Sequence, residues 1–246
     1  MKSSFCNLES QKLHYLEKGK GKTIVLLPSL WITSRPFEEI GEKLSKKYHI
    51  IIPDLYKGKS IFTKRATNVS DYLNALEEFL IKLRISKYFL IGISGSGFLV
   101  TSFIEQTLNK PIKVLLFSTS FNSAAFPEKR FFFIFKGYLK MFAVNFATLE
   151  KIKVILPVLR DAFSFLGTHP KQFISEAFIP IGGLTNKPCV STTLFISKKD
   201  EFFPYKKLLD LNKSIKDLKT VTLNERHIWF FLKKDKFVKE IAGVVG

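Results

Sequence analysis

A chain of 246 residues that is 46% hydrophobic and 24% charged holds enough apolar material for one full-sized α/β core, and too much for a disordered protein. Its formal net charge of +18 raises the question of a phosphate-rich partner, but the excess runs along the whole chain and most of the 39 basic residues are lysines. Dispersed lysines of this kind read as a solvated surface and argue against a dedicated nucleic-acid groove.

Met1 to Asn7 lacks the apolar stretch of a secretory leader. Leu8 to Glu17 reads as a hairpin-like pair of short strands, and after the turn Lys18 to Lys22 comes the apolar run Thr23-Ile24-Val25-Leu26-Leu27, which suits a strand buried on both faces. A helix is predicted from about Pro36 to Lys47 with Ser34 as N-cap, then a second buried strand at His49 to Ile52. Ser70 is a candidate cap for a helix carrying Tyr72, Leu73, Leu76, Phe79, Leu80 and Leu83, and Tyr88 to Ile91 is a third strand. Gly97 to Leu108 reads as helix and Ile112 to Phe117 as a fourth strand. Strands alternating with helices imply a mostly parallel, doubly wound sheet.

From Ser120 to Lys187 the alternation stops. This segment is aromatic-rich and helical by pattern, with breaks expected at Pro127, Pro157, Gly167, Pro170 and Pro180, and is read as an inserted helical cap at 120–187 on a core of 1–119 and 188–246. Its most apolar stretch, Phe131 to Val144, contains Lys136 and Lys140 and falls short of the roughly 20 residues that cross a bilayer. Alternation resumes with a strand at Thr192 to Ile196, a helix near Tyr205 to Asn212, a strand at Thr220 to Leu223 and a helix from Lys234 to Val244. The two cysteines, Cys6 and Cys189, have no spacing that would suggest a metal or redox site, so no cofactor and a soluble protein of the reducing cytoplasm are expected.

A serine hydroxyl becomes a useful nucleophile when a base takes its proton and a third group orients that base. Ser94, in Gly92-Ile93-Ser94-Gly95-Ser96-Gly97, follows a strand and precedes a helix, the context in which a G-x-S-x-G turn acquires meaning; Ser96 stands at the final glycine. A phosphate loop would carry a Lys-Ser/Thr pair after the glycines, where Phe98-Leu99 stands. Ser96 is a weaker nucleophile candidate because Phe98 occupies the small-residue position after it. Of the four histidines, His14 and His49 lie in strands and His169 in the cap, whereas His227 sits on a loop at the carboxyl end of the last strand, the edge where open α/β sheets bind ligands. Asp200 and Glu201 both follow the penultimate strand and qualify as the acid, while Asp54, which precedes Ser94, reads as a turn-fixing carboxylate.

With these motifs in place, the chain resembles the α/β-hydrolase superfamily, in particular esterase- and lipase-like members with a helical cap. Four ordered segments carry the resemblance: Leu13 to Gly19, Pro53-Asp54-Leu55, the turn at Ser94, and the acid and histidine loops. The resemblance puts the acid on Asp200 and implies a Ser94, His227, Asp200 triad acting through an acyl-enzyme. It also implies an oxyanion hole from the backbone N-H groups of Leu30 and Gly95, although Pro28-Ser29 stands where the family usually has His-Gly. A serine nucleophile argues against the haloalkane dehalogenase and epoxide hydrolase branches, which use aspartate.

The cap carries Phe126, Phe131, Phe132, Phe133, Phe135, Tyr138, Phe142, Phe146, Phe163, Phe165, Phe173 and Phe178, enough to line an acyl pocket or to pack the cap on the sheet. The preferred substrate is a hydrophobic acyl ester. It could be a small soluble ester, a lipid ester at an anionic membrane surface, or an acyl group on an acidic carrier protein. The rival from another class is a non-catalytic ligand-binding protein that retains the hydrolase fold.

Overall fold

The computed structural model describes residues 1–121, 130–145, 148–178, 188–213 and 215–246; the side chains of 130–135, 138, 145, 150, 177 and 178 lie outside the described set. The chain opens with β1 (Lys2–Asn7) and β2 (Gln11–Lys18), an antiparallel pair in which Phe5 faces His14. The hairpin therefore turns at Leu8 to Ser10, so its first strand lies upstream of the predicted Leu8 start. Then come β3 (Thr23–Leu27), α1 (Glu38–Leu44), β4 (His49–Pro53), β5 (Ile61–Phe62), α2 (Val69–Lys82), β6 (Tyr88–Ile93), α3 (Gly95–Gln106) and β7 (Lys113–Phe117). Three helices follow, α4 (Arg130–Asn145), α5 (Leu149–Thr168) and α6 (Pro170–Phe178). The chain ends with β8 (Thr192–Ser197), α7 (Tyr205–Lys213), β9 (Leu218–Leu223), α8 (Trp229–Leu232) and α9 (Lys234–Val245).

The sheet runs β1-β2-β4-β3-β6-β7-β8-β9, with β5 pairing β2; the pairs from β4 to β9 are parallel, and β2 pairs antiparallel with β1, β4 and β5. The expected mostly parallel, doubly wound sheet is thus observed. Its central strands read as unbroken apolar runs because both faces are covered. In β7, Val114 and Leu116 face a layer containing α2, α3 and α7, while Leu115 and Phe117 face one containing α1, α8 and α9. This period-two alternation spreads one apolar sequence over two cores.

Local details depart from expectation for identifiable reasons. Ser34 does not cap the first helix: its hydroxyl donates to Asp54 Oδ2 at 2.9 Å, a single 3₁₀ turn (Arg35–Phe37) intervenes, and α1 ends at Leu44. Asn68, not Ser70, caps α2, because Asp71 three residues on returns the bond and completes a capping box. Pro157 and Gly167 lie inside α5 and do not break it. Pro157 is exposed, so the helix bond it cannot make is lost on the solvent side. Pro170 begins α6, where a missing N-H is tolerated. Pro127 and Pro180 lie outside the described residues.

Candidate active site

Ser94 sits between β6 and α3 with φ 53° and ψ −124°, a backbone conformation that costs a β-carbon-bearing residue about 1–3 kcal/mol. The turn is held by bonds from Ser94 N-H to Phe117 O (2.9 Å) and from Gly97 N-H to Ser94 O (3.0 Å). Its tightness excludes side chains nearby: a β-carbon on Gly92 would lie 2.8 Å from Val100 Cγ2 and 2.9 Å from Gly97 Cα, and one on Gly97 would lie 2.4 Å from Thr119 Cγ2. Ser96 is buried and is no rival nucleophile. Its Oγ accepts from Ile93 N-H at 2.8 Å and donates to Leu27 O at 2.8 Å, tying the end of β3 to the turn.

The structure brings Ser94, His227 and Asp200 together from three loops at the carboxyl edge of the sheet. Ser94 Oγ lies 2.9 Å from His227 Nε2, and His227 Nδ1 lies 3.0 and 2.9 Å from the two oxygens of Asp200. An ionised carboxylate only accepts, so the Nδ1 proton belongs on the Asp200 side and the Nε2 lone pair faces the serine. Asp200 Oδ1 also accepts the backbone N-H groups of Phe202 (2.8 Å) and Phe203 (2.9 Å), and both partners of the His-Asp pair are nearly inaccessible, at 6% and 1%. Ser94 itself is partly exposed.

Two further residues fix the histidine loop, and sequence reasoning had not given them these roles. Glu201, considered as an alternative acid, accepts His227 N-H at 2.9 Å and an Arg226 guanidinium N-H at 2.9 Å, so it holds the loop. Ser118, with φ 47°, donates its hydroxyl to His227 O at 2.8 Å. The other histidines lie elsewhere. His14 is buried between Ser3 and Asp54, His49 bonds Glu17 and Thr23, and the His169 ring rests on Phe62 with centroids 4.8 Å apart. Asp54 also receives Ser34 N-H at 2.5 Å and has the turn-fixing position expected of it. Two of the segments that carried the resemblance, at His14 and Asp54, are therefore bonded to each other.

Ser94 opens on a cavity of about 370 Å³ bordered also by Leu30, Gly95 and His227, and otherwise almost wholly apolar. Met141 and Phe142 come from α4, Ile155, Val158, Ala162 and Phe163 from α5, and Phe173 from α6. Phe165 is buried against Phe173 and His169. Phe126, Phe131, Phe132, Phe133, Phe135, Tyr138, Phe146 and Phe178 lie, as side chains, outside the described residues. The backbone N-H groups of Leu30 and Gly95 have no hydrogen-bond partner among the described residues. No group of three metal-ligating side chains occurs among those residues either, and no described helix is long and apolar enough to cross a membrane.

Solved structures superpose on this architecture over nearly its whole length. An enol-lactonase from Burkholderia xenovorans LB400 matches with 17% identity, 98% of each chain covered and a TM-score of 0.77. An esterase from Exiguobacterium antarcticum matches at 16%, 99% of each chain and 0.78, and a bromoperoxidase from Bacillus anthracis at 16%, 98% of each and 0.77. The chain has the α/β-hydrolase fold. No family model and no curated protein matches the sequence, so the likeness lies in the fold. Within that fold the Ser94 turn, the Asp200 loop and the His227 loop occupy the sheet edge where α/β architectures bind ligands.

Proposed function

We propose that the chain is a serine hydrolase that cleaves carboxylic esters with a hydrophobic acyl group. The observation that carries this reading is the hydrogen-bonded line from Ser94 through His227 to Asp200, opening on an apolar cavity beside two backbone N-H groups that have no partner among the described residues. As Ser94 Oγ bonds to the ester carbonyl carbon, His227 Nε2 takes its proton, and Asp200 stabilises the imidazolium through Nδ1. The carbonyl oxygen takes up the negative charge and is stabilised by N-H donation from Leu30 and Gly95. The carbon-to-alkoxide bond then breaks and His227 protonates the departing alcohol. Water attacks the acyl-enzyme by the same route, releasing the acid and returning the proton to Ser94 Oγ.

Residues 120–187 act in this reading as a helical cap whose apolar inner face receives the acyl chain. Two of the superposed proteins are named for an esterase and an enol-lactonase, and a lactone is a cyclic ester. The exposed stripe of α5 interleaves Leu149, Leu156 and Phe163 with Lys153 and Arg160, which favours a lipid ester met at an anionic surface over a small soluble ester or a carrier-bound acyl group. Cys6 and Cys189 are both free, in keeping with the reducing cytoplasm.

A fluorophosphonate probe together with a chain-length series of p-nitrophenyl esters tests the reading. Labelling and turnover are expected in the wild type and absent in Ser94→Ala. A folded wild type that is neither labelled nor active supports instead the non-catalytic binding protein. Sedimentation with phosphatidylserine vesicles, but not with phosphatidylcholine vesicles, is expected if the α5 stripe meets an anionic surface.

A further inference from the structure

The loop from Pro28 to Ser34 carries one of the two proposed oxyanion donors, yet Pro28 has no N-H and the stretch belongs to no helix or strand. Its backbone is bonded instead to side chains outside it. Trp31 N-H donates to Glu176 Oε2 at 2.8 Å, and Thr33 donates both its N-H and its hydroxyl to Asp161, each at 2.8 Å. Glu176 belongs to α6 and Asp161 to α5, and both are buried, at 2% and 9% exposure. Ile32 N-H closes on Ser29 O at 3.2 Å, Ser34 N-H goes to Asp54, and Lys57 Nζ donates to Ser29 O at 3.0 Å while lying 3.9 Å from Glu176. From Leu30 to Ser34, Leu30 is thus the residue whose N-H has no partner among the described residues.

Further contacts converge on Trp31. Its φ of 64° is a left-handed conformation that a bulky residue rarely adopts, its indole stacks on Phe173 with centroids 5.0 Å apart, and its Nε1-H donates to Phe173 O at 2.8 Å. Tyr72 Oη donates to Glu176 Oε1 at 3.2 Å and accepts from Gln172 at 2.7 Å. A buried carboxylate is expensive unless it is well bonded, and two of them on the buried faces of α5 and α6, both bonded to one loop, are poorly explained by packing. Burial pushes both carboxyls above the usual carboxylate range, with Lys57 and the donated bonds opposing it.

We propose that Glu176 and Asp161 are positioning residues for the oxyanion hole: by clamping Trp31 and Thr33 on either side of Ile32, the α5–α6 pair fixes the backbone that presents the Leu30 N-H. On this view the helices over the site do more than cover it, because moving α6 away would release Trp31 and with it the donor. The proposal rests on the hydrolase reading above.

The test compares Glu176→Ala with Glu176→Gln, whose amide oxygen still accepts from Trp31. In a protein whose melting curve shows it folded, Glu176→Ala is expected to lower kcat by about tenfold or more with KM within about threefold, and to weaken a boronic-acid analogue of the tetrahedral intermediate in parallel. Glu176→Gln is expected to restore kcat to within about threefold of wild type. An activity-independent signal is Trp31 fluorescence in a Trp229→Phe background, expected to shift in the Ala variant and not in the Gln variant. Should Glu176→Ala not fold, Trp31→Phe removes the indole donor, keeps an aromatic face for Phe173, and is expected to lower kcat with KM little changed. Folded Glu176→Ala protein with wild-type kcat and wild-type Trp31 emission overturns the clamp. A wild type inert to both esters and fluorophosphonate sinks the hydrolase reading itself, and the oxyanion role with it, whatever the fluorescence does.

Discussion

Leu30 packs its side chain against the backbone of Gly95 so closely that a β-carbon at position 95 would lie 2.3 Å from Leu30 Cγ and 2.5 Å from Cδ1. The two cavity-lining residues whose N-H groups have no partner among the described residues are therefore in direct contact, and glycine at 95 is what permits it. Gly95→Ala should push Leu30 outward, at a cost of about 1–3 kcal/mol in stability, and lower kcat more than it raises KM. Trimming the obstructing side chain in Gly95→Ala/Leu30→Ala should recover part of the lost stability. A double-mutant cycle by denaturant unfolding and ester kinetics measures both, and strict additivity would show that the contact does not couple the two positions.

The backbone at Ser94 stores strain that can be read without any substrate. Ser94→Gly and Ser94→Ala should both abolish turnover, but the glycine variant should be the more stable by about 0.5–2 kcal/mol, the relief of strain less the extra freedom of glycine in the unfolded chain. Chemical denaturation of the two variants decides it, and an alanine variant as stable as the glycine one would show an unstrained turn.

Asp200 holds a histidine it does not itself protonate. Asp200→Asn should keep the fold and the bonds to Phe202 and Phe203, yet lower kcat by roughly 10⁴, because an amide that donates towards Nδ1 favours the wrong tautomer. Single-turnover kinetics with a fluorogenic ester would measure the loss; a drop below about tenfold would place the orienting role elsewhere.

Glu176 gives a pH signature whose sign is fixed by its burial. Its folded carboxyl binds a proton more tightly than the unfolded one, so its contribution to stability is complete below the ordinary carboxylate value of about 4 and is lost as pH rises through the raised folded value. Glutamine does not titrate. The melting temperature of Glu176→Gln relative to wild type should therefore climb as pH increases from about 4 to about 8. A difference that is constant over that range, or that falls, would contradict the assignment.

Ala162 is the small residue on the cavity wall supplied by α5. Ala162→Phe should fill part of the roughly 370 Å³ space and shift the preferred p-nitrophenyl ester towards shorter chains, raising KM for long ones while leaving short-chain kcat nearly unchanged. An unaltered chain-length profile would mean that the acyl chain lies elsewhere.

Much of the framework was legible because parallel strands buried on both faces leave unbroken apolar runs, as at Ile24 to Leu27 and Val114 to Phe117, with helices of clear period between them. The strand-turn-helix setting of Ser94 and the loop positions of Asp200 and His227 follow from the same alternation. What escaped is governed by contacts remote in sequence. Asp161 and Glu176 bond to residues 128 and 145 positions away, so no local pattern announces them beyond the oddity of acids on buried helix faces. Ser34 looks like a cap until Asp54, 20 residues on, takes its hydroxyl. Asn68 was open to detection, since Asp71 stands at the spacing that a capping box requires.

Ser96 stands where the motif ordinarily has glycine, and its hydroxyl spans the gap from Ile93 to Leu27. The proposed donors, Leu30 and Gly95, lie on the loops that leave the sheet at Leu27 and at Ser94, so this one side chain ties the two loops together at their roots. Ser96→Thr leaves the hydroxyl at the same reach and adds a methyl branch to a buried contact, so any change in the spacing of the two loops would come from that branch, with neither Leu30 nor Gly95 altered.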